Sequence, residues 1–268
     1  MSFSITGKTA IVTGAANGIG LAIGRHFADH GANVMFADKD EARLVEELGK
    51  SPEDSNIRYF AGDLRQKLTV ANLLSATIDA FERVDILVNA SRQVVTSDPL
   101  DTKDDSVEAL LEQNLLTSLR LSQAVARRMI QQAEDEESES SCIGSIVNLS
   151  SIAARRTHPS LLAYSVSAAA LDQMTRSLAV ALAPKRIRVN AVAFGSVMSA
   201  SLRSDLKEND EYRQEIIDHT PMRRIAPPGE IAEAVQFLSS DSSGFVTGQI
   251  MTVDGGRTLL DPAAAPAH

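Results

Sequence analysis

The chain has no tryptophan, a single cysteine and few aromatic residues, 4% of its 268 positions. With Cys142 alone, no disulfide can form within the chain, which fits a reducing compartment. With aromatics scarce, Ala, Val, Ile and Leu must build the core. At 44% hydrophobic residues there is enough apolar material for a sheet covered by helices on both faces. Positive charge is in deficit, with 26 Lys and Arg against 35 Asp and Glu, a formal charge of −9. Such a balance is unsuited to a phosphate backbone, so no nucleic-acid partner is expected. The opening stretch MSFSITGKTAIVTG has no basic segment followed by a long apolar core and a cleavage site. No apolar run is long enough to cross a bilayer. The expectation is a cytoplasmic protein with no membrane partner.

What is present is an alternation of short apolar runs with helical patterns. TAIVTG (Thr9 to Gly14), NVMFAD (Asn33 to Asp38), IRYFAGD (Ile57 to Asp63) and DILVNAS (Asp85 to Ser91) read as the first four strands. SIVNLSS (Ser145 to Ser151), IRVNAVAF (Ile187 to Phe194) and QIMTVDGG (Gln249 to Gly256) read as three more. A helix from Gly18 to His30 is expected to end at Gly31, and an Ala- and Leu-rich helix from Leu161 to Ala183 to stop at Pro184. Strand–helix alternation with right-handed crossovers predicts a parallel sheet in a doubly wound α/β architecture. There is no internal repeat and no convincing linker, so residues 1–268 are expected to form one domain. QQAEDEESESS (Gln131 to Ser141) is acidic and serine-rich and is expected to be a solvated loop. The tail Asp261 to His268 is expected to fray unless a partner chain holds it.

The most informative segment is TGAANGIG, Thr13 to Gly20, between a strand and a helix. Gly14 permits a tight turn, Gly18 lets the backbone approach a pyrophosphate, and Gly20 lets the helix pack close to the strand. The helix start then offers free N–H groups and a positive dipole end to phosphates. Asp38 ends the next strand, where a carboxylate can accept both hydroxyls of an adenosine ribose and would repel a 2′-phosphate. Lys39 is the nearby cation that argues the other way. The carboxylate is given the greater weight, and NAD is the expected cofactor.

Thr-Gly-x-x-x-Gly-Ile-Gly resembles the cofactor signature of the short-chain dehydrogenase/reductase family, and the resemblance extends over nearly the whole chain. GDL resembles the family's adenine-binding segment, with Asp63 placed for the adenine amino group and Leu64 beside it. DILVNAS resembles the fourth strand, with Asn89 and Ala90 at the first two positions of Asn-Asn-Ala-Gly. LLEQNLLTSLRLSQAV resembles the fourth helix, with Asn114 at the structural and catalytic asparagine. SIVNLSSIAA carries the active-site serine, and Ser151, thirteen residues before the tyrosine, fits better than Ser150. AYSVSAAALDQMTRSLA carries Tyr164. RVNAVAFGSVMS, with Gly195, Val197 and Ser199, resembles the segment that closes over the nicotinamide.

The resemblance implies a three-layer Rossmann fold with a seven-stranded parallel sheet. It implies a hydride exchanged between a nicotinamide dinucleotide and an alcohol or carbonyl substrate, and a homo-oligomer, a tetramer or a dimer. Cofactor contacts are expected from Gly14, Asn17, Gly18, Ile19, Gly20, Asp38, Asp63, Leu64, Asn89, Ala90, Tyr164, Gly195, Val197 and Ser199, and no metal is expected. In the implied mechanism Tyr164 passes a proton to or from the substrate oxygen, Ser151 hydrogen-bonds that oxygen, and Asn114 holds a water in the relay. A mobile substrate lid is expected around Ser199 to Thr220.

The chain departs from the pattern at several places. The family's Tyr-x-x-x-Lys here reads Tyr164, Ser165, Val166, Ser167, Ala168. A tyrosine needs roughly 4 kcal/mol of help to act as a base near neutrality, about what one cation at about 4 Å supplies at an effective dielectric near 20. Asn-Asn-Ala-Gly has become Asn89, Ala90, Ser91, Arg92; the proline before Gly195 is Phe194; and a threonine has become Ser199. Arg92 either reaches toward the space beside Ala168 and supplies positive charge, or points to solvent, or crowds the nicotinamide pocket. Arg155 and Arg156 are second candidates for that charge, or loop charges in solvent. His26 and His30 lie on the first helix with no ligand cluster around them, and His158 and His219 in loops near the cleft. The chain is thus expected to be an NAD-dependent oxidoreductase, or alternatively an impaired NAD-binding relative serving as a sensor or assembly partner.

Overall fold

The computed structural model describes residues 3–49, 55–195, 197–199, 202–203, 206–207 and 209–261. Seven strands form one sheet: β1 (Thr9–Thr13), β2 (Asn33–Asp38), β3 (Ile57–Ala61), β4 (Ile86–Asn89), β5 (Gly144–Ser151), β6 (Ile187–Phe194) and β7 (Ile250–Val253). Their order is β3-β2-β1-β4-β5-β6-β7, and every pairing is parallel. The sheet is the expected seven-stranded, doubly wound one. Sequence order reverses between β1 and β4, so the carboxyl ends of these two strands diverge into opposite crossovers and leave a crevice between them.

The helices α1 (Gly18–Asp29), α2 (Glu41–Leu48), α3 (Lys67–Phe81), α4 (Ser106–Leu110), α5 (Thr117–Asp135), α6 (Leu162–Leu182), α7 (Asp210–Asp218) and α8 (Pro228–Ser239) connect the strands. Two-residue periodicity sends alternate strand residues to opposite layers. Val12, Val88 and Val147 pack with Ile23 and Phe27 of α1 and with Val235 of α8. Ile11, Leu87 and Ile146 pack with Leu73 of α3 and with Val125 and Met129 of α5. Each fully buried side chain of this kind contributes about 1.5–3 kcal/mol.

Two expectations are corrected. The acidic stretch Gln131 to Ser141 is not all loop, because α5 continues through Asp135. Gln132 is buried, and its Oε1 accepts the Val84 N–H at 3.0 Å, so a composition that reads as solvated hides a tie from the helix to the loop before β4. Pro184 does not end the helical path abruptly. It sits inside a 3-10 turn, Ala183–Lys185, where its missing N–H costs nothing. The first helix stops as expected: its last turn ends at Asp29, His30 caps it, and Gly31 takes the left-handed conformation (φ 80°) just beyond. The expected lid, Ser199 to Thr220, includes residues 200, 201, 204, 205 and 208, and the expected frayed tail includes residues 262–268; these lie outside the described residues. Among the described residues, no helix is long and apolar enough to cross a membrane.

A buried polar ladder joins the central strands to the helices beneath the crevice. Asn89 Nδ2 donates to Asn148 Oδ1 (2.8 Å) and to Ser122 Oγ (3.0 Å), and Asn148 Nδ2 donates to Thr175 Oγ1 (2.8 Å) on α6. Asn148→Val leaves Asn89 short of one acceptor in a dry interior. It is expected to destabilise the fold by about 1–3 kcal/mol, measurable as a lower urea midpoint.

Candidate active site

The glycine-rich turn is shaped by two close approaches. Gly14 has φ 64°, and a Cβ there would lie 2.7 Å from Ser91 Cα. A Cβ on Gly20 would lie 2.1 Å from the Gly14 carbonyl oxygen. Only glycine allows α1 to start this close to β1. The first intrahelical bond runs from Leu21 N to Asn17 O (3.2 Å), so the N–H groups of Gly18, Ile19 and Gly20 precede it. No acidic residue stands in that first turn to compensate the helix dipole.

A cleft of about 410 Å³ runs from this turn along the carboxyl ends of the strands. Gly14, Asn17, Gly18, Ile19 and Gly20 line one wall. Asp38, Asp63 and Leu64 line the far end, and Ala90, Arg92 and Ser199 the near end. Asp38 is fixed at the mouth: its Oδ2 accepts the Ala16 N–H (3.0 Å) and its Oδ1 the Asp40 N–H (3.1 Å). Asp63 carries a partner that the sequence reading did not assign. Arg65 grips both of its carboxylate oxygens at 2.6–3.0 Å, and this hydrogen bonding holds the Asp63 carboxyl below its ordinary range.

Beside the near end lies a second, small cavity of about 10 Å³, room for about one water, lined in part by Asn89, Asn114, Tyr164 and Ala168. Asn89 thus turns its side chain to the interior ladder while Ala90 faces the cleft. Asn114 sits in a π-helical turn, Leu111–Leu116, between α4 and α5. Its side chain is committed: Nδ2 donates to Gln93 O (3.0 Å) and Ser167 Oγ (3.2 Å), and Oδ1 accepts the Gln93 N–H (2.8 Å). Of the two adjacent serines, Ser150 donates to Asp172 Oδ1 (2.6 Å) on α6, whereas Ser151 ends β5 and its Oγ accepts the Ala153 N–H (3.1 Å). Gly195 packs on Ile152 and borders a separate pocket near β7, and Val197 forms an isolated bridge with Ala226.

The cations sort clearly. Arg155 Nη1 donates to Thr252 Oγ1 (2.9 Å) and Arg156 Nε to Thr258 O (3.1 Å), so both tie the loop after β5 to the far edge of the sheet. Arg92 turns inward: Nη1 donates to the Tyr164 hydroxyl, and Cζ lies 4.2 Å from the centroid of the Phe194 ring. In the sequence Phe194 stands only where the family pattern has a proline, and nothing in the linear pattern pairs it with Arg92. His26 Nε2 meets Gln236 Oε1 (2.5 Å), His158 Nδ1 accepts the Ser160 N–H (3.2 Å), and His219 Nδ1 meets Glu215 O (2.9 Å). All three serve as local packing and capping groups.

This geometry has close counterparts. A family model described as enoyl-(acyl carrier protein) reductase matches residues 14–258. Oxidoreductase UcpA of Escherichia coli K12 is 34% identical over 264 residues, covering 95% of this chain and 96% of that one. A glucose 1-dehydrogenase of Gluconobacter oxydans is 32% identical, covering 94% and 92% of the two chains. The 3-oxoacyl-[acyl-carrier-protein] reductase FabG of Rickettsia prowazekii is 34% identical, covering 96% and 99%. The crystal structure of gox2181 superposes with a TM-score of 0.85 at 32% identity, covering 96% of this chain and 98% of that one. The chain belongs to the short-chain dehydrogenase/reductase family of oxidoreductases, whose members bind nicotinamide dinucleotides.

Two outcomes test the geometry. Gly20→Ala forces the helix start away from the turn and is expected to cost about 1–3 kcal/mol, read by thermal unfolding. Burial raises the Asp172 carboxyl above its ordinary value, against the lowering effects of the Ser150 hydrogen bond and of Arg155 and Arg176. A raised folded-state value means stability that is fully present at low pH and lost as pH rises through it. Asp172→Asn keeps an acceptor for Ser150 and cannot ionise. Its melting temperature is expected to gain on the parent's as pH rises from about 4 to neutrality.

Proposed function

We propose that this protein is an NAD-dependent oxidoreductase that exchanges a hydride between the dinucleotide and a small secondary alcohol or ketone. The observation that carries the reading is the continuity of the cleft. Open helix-terminal N–H groups stand in its wall, a fixed carboxylate stands at one end, and Tyr164 stands beside the other. The residues fit a dinucleotide: glycines admit a pyrophosphate where a Cβ would close the turn, and Asp38 offers acceptors to ribose hydroxyls. In this reading Asp63 and Leu64 border the adenine, and Ala90, Gly195, Val197 and Ser199 the nicotinamide end. When bound, the dinucleotide supplies or accepts the hydride.

The chain's own residues do the rest. Ser151 donates to the substrate oxygen, Tyr164 moves the proton to or from it, and Asn114 holds the backbone at Gln93 against α6. The whole chain acts as one dinucleotide-binding unit with a substrate lid around residues 199–220, and it works as a closed symmetric homo-oligomer. The second reading, a dinucleotide-binding protein without useful turnover, is favoured by one observation: Ala168 stands one helical turn after Tyr164, where the family pattern has lysine.

Calorimetry with NAD and NADP, followed by a panel of secondary alcohols monitored by reduced-dinucleotide absorbance, separates the readings. NAD is expected to bind at least ~10-fold more tightly than NADP, a difference of about 1.4 kcal/mol. Asp38→Ser is expected to narrow the gap to within a few fold. Binding without turnover across the panel would select the second reading, and no binding of either dinucleotide would refute both.

A further inference from the structure

Arg92 is a cation that the fold has built in. Its backbone is clamped on both sides: the Ser91 N–H donates to Thr13 Oγ1 (3.0 Å), and Gln93 exchanges hydrogen bonds with Asn114 (2.8 and 3.0 Å). Its guanidinium lies on the face of Phe194, the last residue of β6, which is itself buried. Among the described residues it makes no ion pair with a carboxylate. Of the side chains lining the small cavity beside Ala168, Arg92 alone carries charge; Asp172, on the same helix as Tyr164, directs its carboxylate to Ser150.

The direction of the contact with Tyr164 follows from chemistry. Arginine has five N–H donors, no acceptor, and does not deprotonate in proteins. The Tyr164 oxygen therefore accepts from Arg92, and the tyrosine's own proton is left to donate elsewhere. The contact is charge-assisted from the start because the guanidinium is ionised; once that proton has gone, the oxygen carries charge as well and the contact becomes an ion pair.

We propose that Arg92, held over the Phe194 ring, is the positioning cation of Tyr164: it fixes the hydroxyl with its proton turned outward and stabilises the oxygen left behind. The proposal rests on the reading of Tyr164 as acid/base. In the reducing direction the substrate C=O π bond breaks. Its carbon takes the hydride from the reduced dinucleotide, which is thereby oxidised, and its oxygen takes the Tyr164 proton. Water then returns a proton to Tyr164. Oxidation of the alcohol reverses each transfer.

The test uses the full chain with ¹³C at the tyrosine Cζ. Three tyrosines, Tyr59, Tyr164 and Tyr212, give three signals, and Tyr164→Phe assigns the one that matters. Arg92→Gln is expected to move the Tyr164 signal alone, with Arg92→Lys moving it less. On a turned-over alcohol, Arg92→Gln is expected to lower kcat ~100-fold or more, with KM changed by less than about threefold. Ala168→Lys in the Arg92→Gln background is expected to recover at least ~10-fold, because positions four apart share a helix face. Phe194→Ala, which frees the guanidinium, is expected to cost about 10-fold in kcat.

An unmoved Tyr164 signal in Arg92→Gln would overturn the proposal. So would a kcat within about threefold of the parent, or a raised KM with kcat unchanged, which would make Arg92 a grip for a substrate anion. If the parent turns over nothing, the oxidoreductase reading fails, and the carbon signal then decides the Arg92–Tyr164 pairing by itself.

Discussion

The hydroxyl of Thr13 holds the two halves of the site together. Its oxygen accepts the N–H groups of both Ala90 and Ser91 at 3.0 Å, joining the end of β1 to the end of β4 at the point where strand order reverses. That bond brings the backbone at Ser91 against Gly14, so that no Cβ is tolerated there. It also fixes where the chain leaves β4, and hence where the next residue, Arg92, enters the crevice. The glycine turn and the arginine loop are separated by over seventy residues in sequence, yet one side chain sets their distance.

The charges along the crevice follow from the same frame. Asp38 is oriented by two backbone N–H groups, so its position is set by the turn rather than by a counter-ion. Asp63 has a counter-ion two residues away in Arg65, which keeps it ionised and holds both of its oxygens. At the opposite end the one inward cation, Arg92, has no carboxylate beside it among the described residues and rests instead on an aromatic face and a hydroxyl. The Asp38 end of the cleft thus holds two carboxylates with Arg65 and Lys39 beside them, and the opposite end holds the Arg92 cation.

Much of this frame was legible in the sequence because it rests on local rules. Seven strands stand out as apolar runs since a sheet buried on both faces needs them, and the glycine turn stands out because positive φ and close approach exclude other residues. What was hidden depends on long-range pairing. Gln132 lies in an acidic, serine-rich stretch, but its value is one hydrogen bond to Val84, just before the central strand β4. The π-helical turn around Asn114 leaves no compositional mark. Arg155 and Arg156 looked like candidates by proximity to Ser151, but the turn after β5 sends them to Thr252 and Thr258. Arg92 could be flagged as an oddity and given three possible directions; choosing among them required Phe194, 102 residues later and with no periodic relation to it.

Those two oddities are intelligible only as a pair. A guanidinium placed after β4 without an aromatic partner would have solvent as its best environment, since a lone buried cation is costly to desolvate. A phenylalanine ending β6 without the arginine would present bare apolar surface beside a polar cavity. Together each lowers the other's penalty: the guanidinium lies over the ring, and its Nη1 edge is left to donate. The edge then meets the hydroxyl one helical turn before Ala168, and a longer side chain at 168 would compete for the same small cavity. The small side chain at 168 and the large ones at 92 and 194 thus belong to one packing arrangement, in which the positive charge beside Tyr164 comes from the loop opposite its helix.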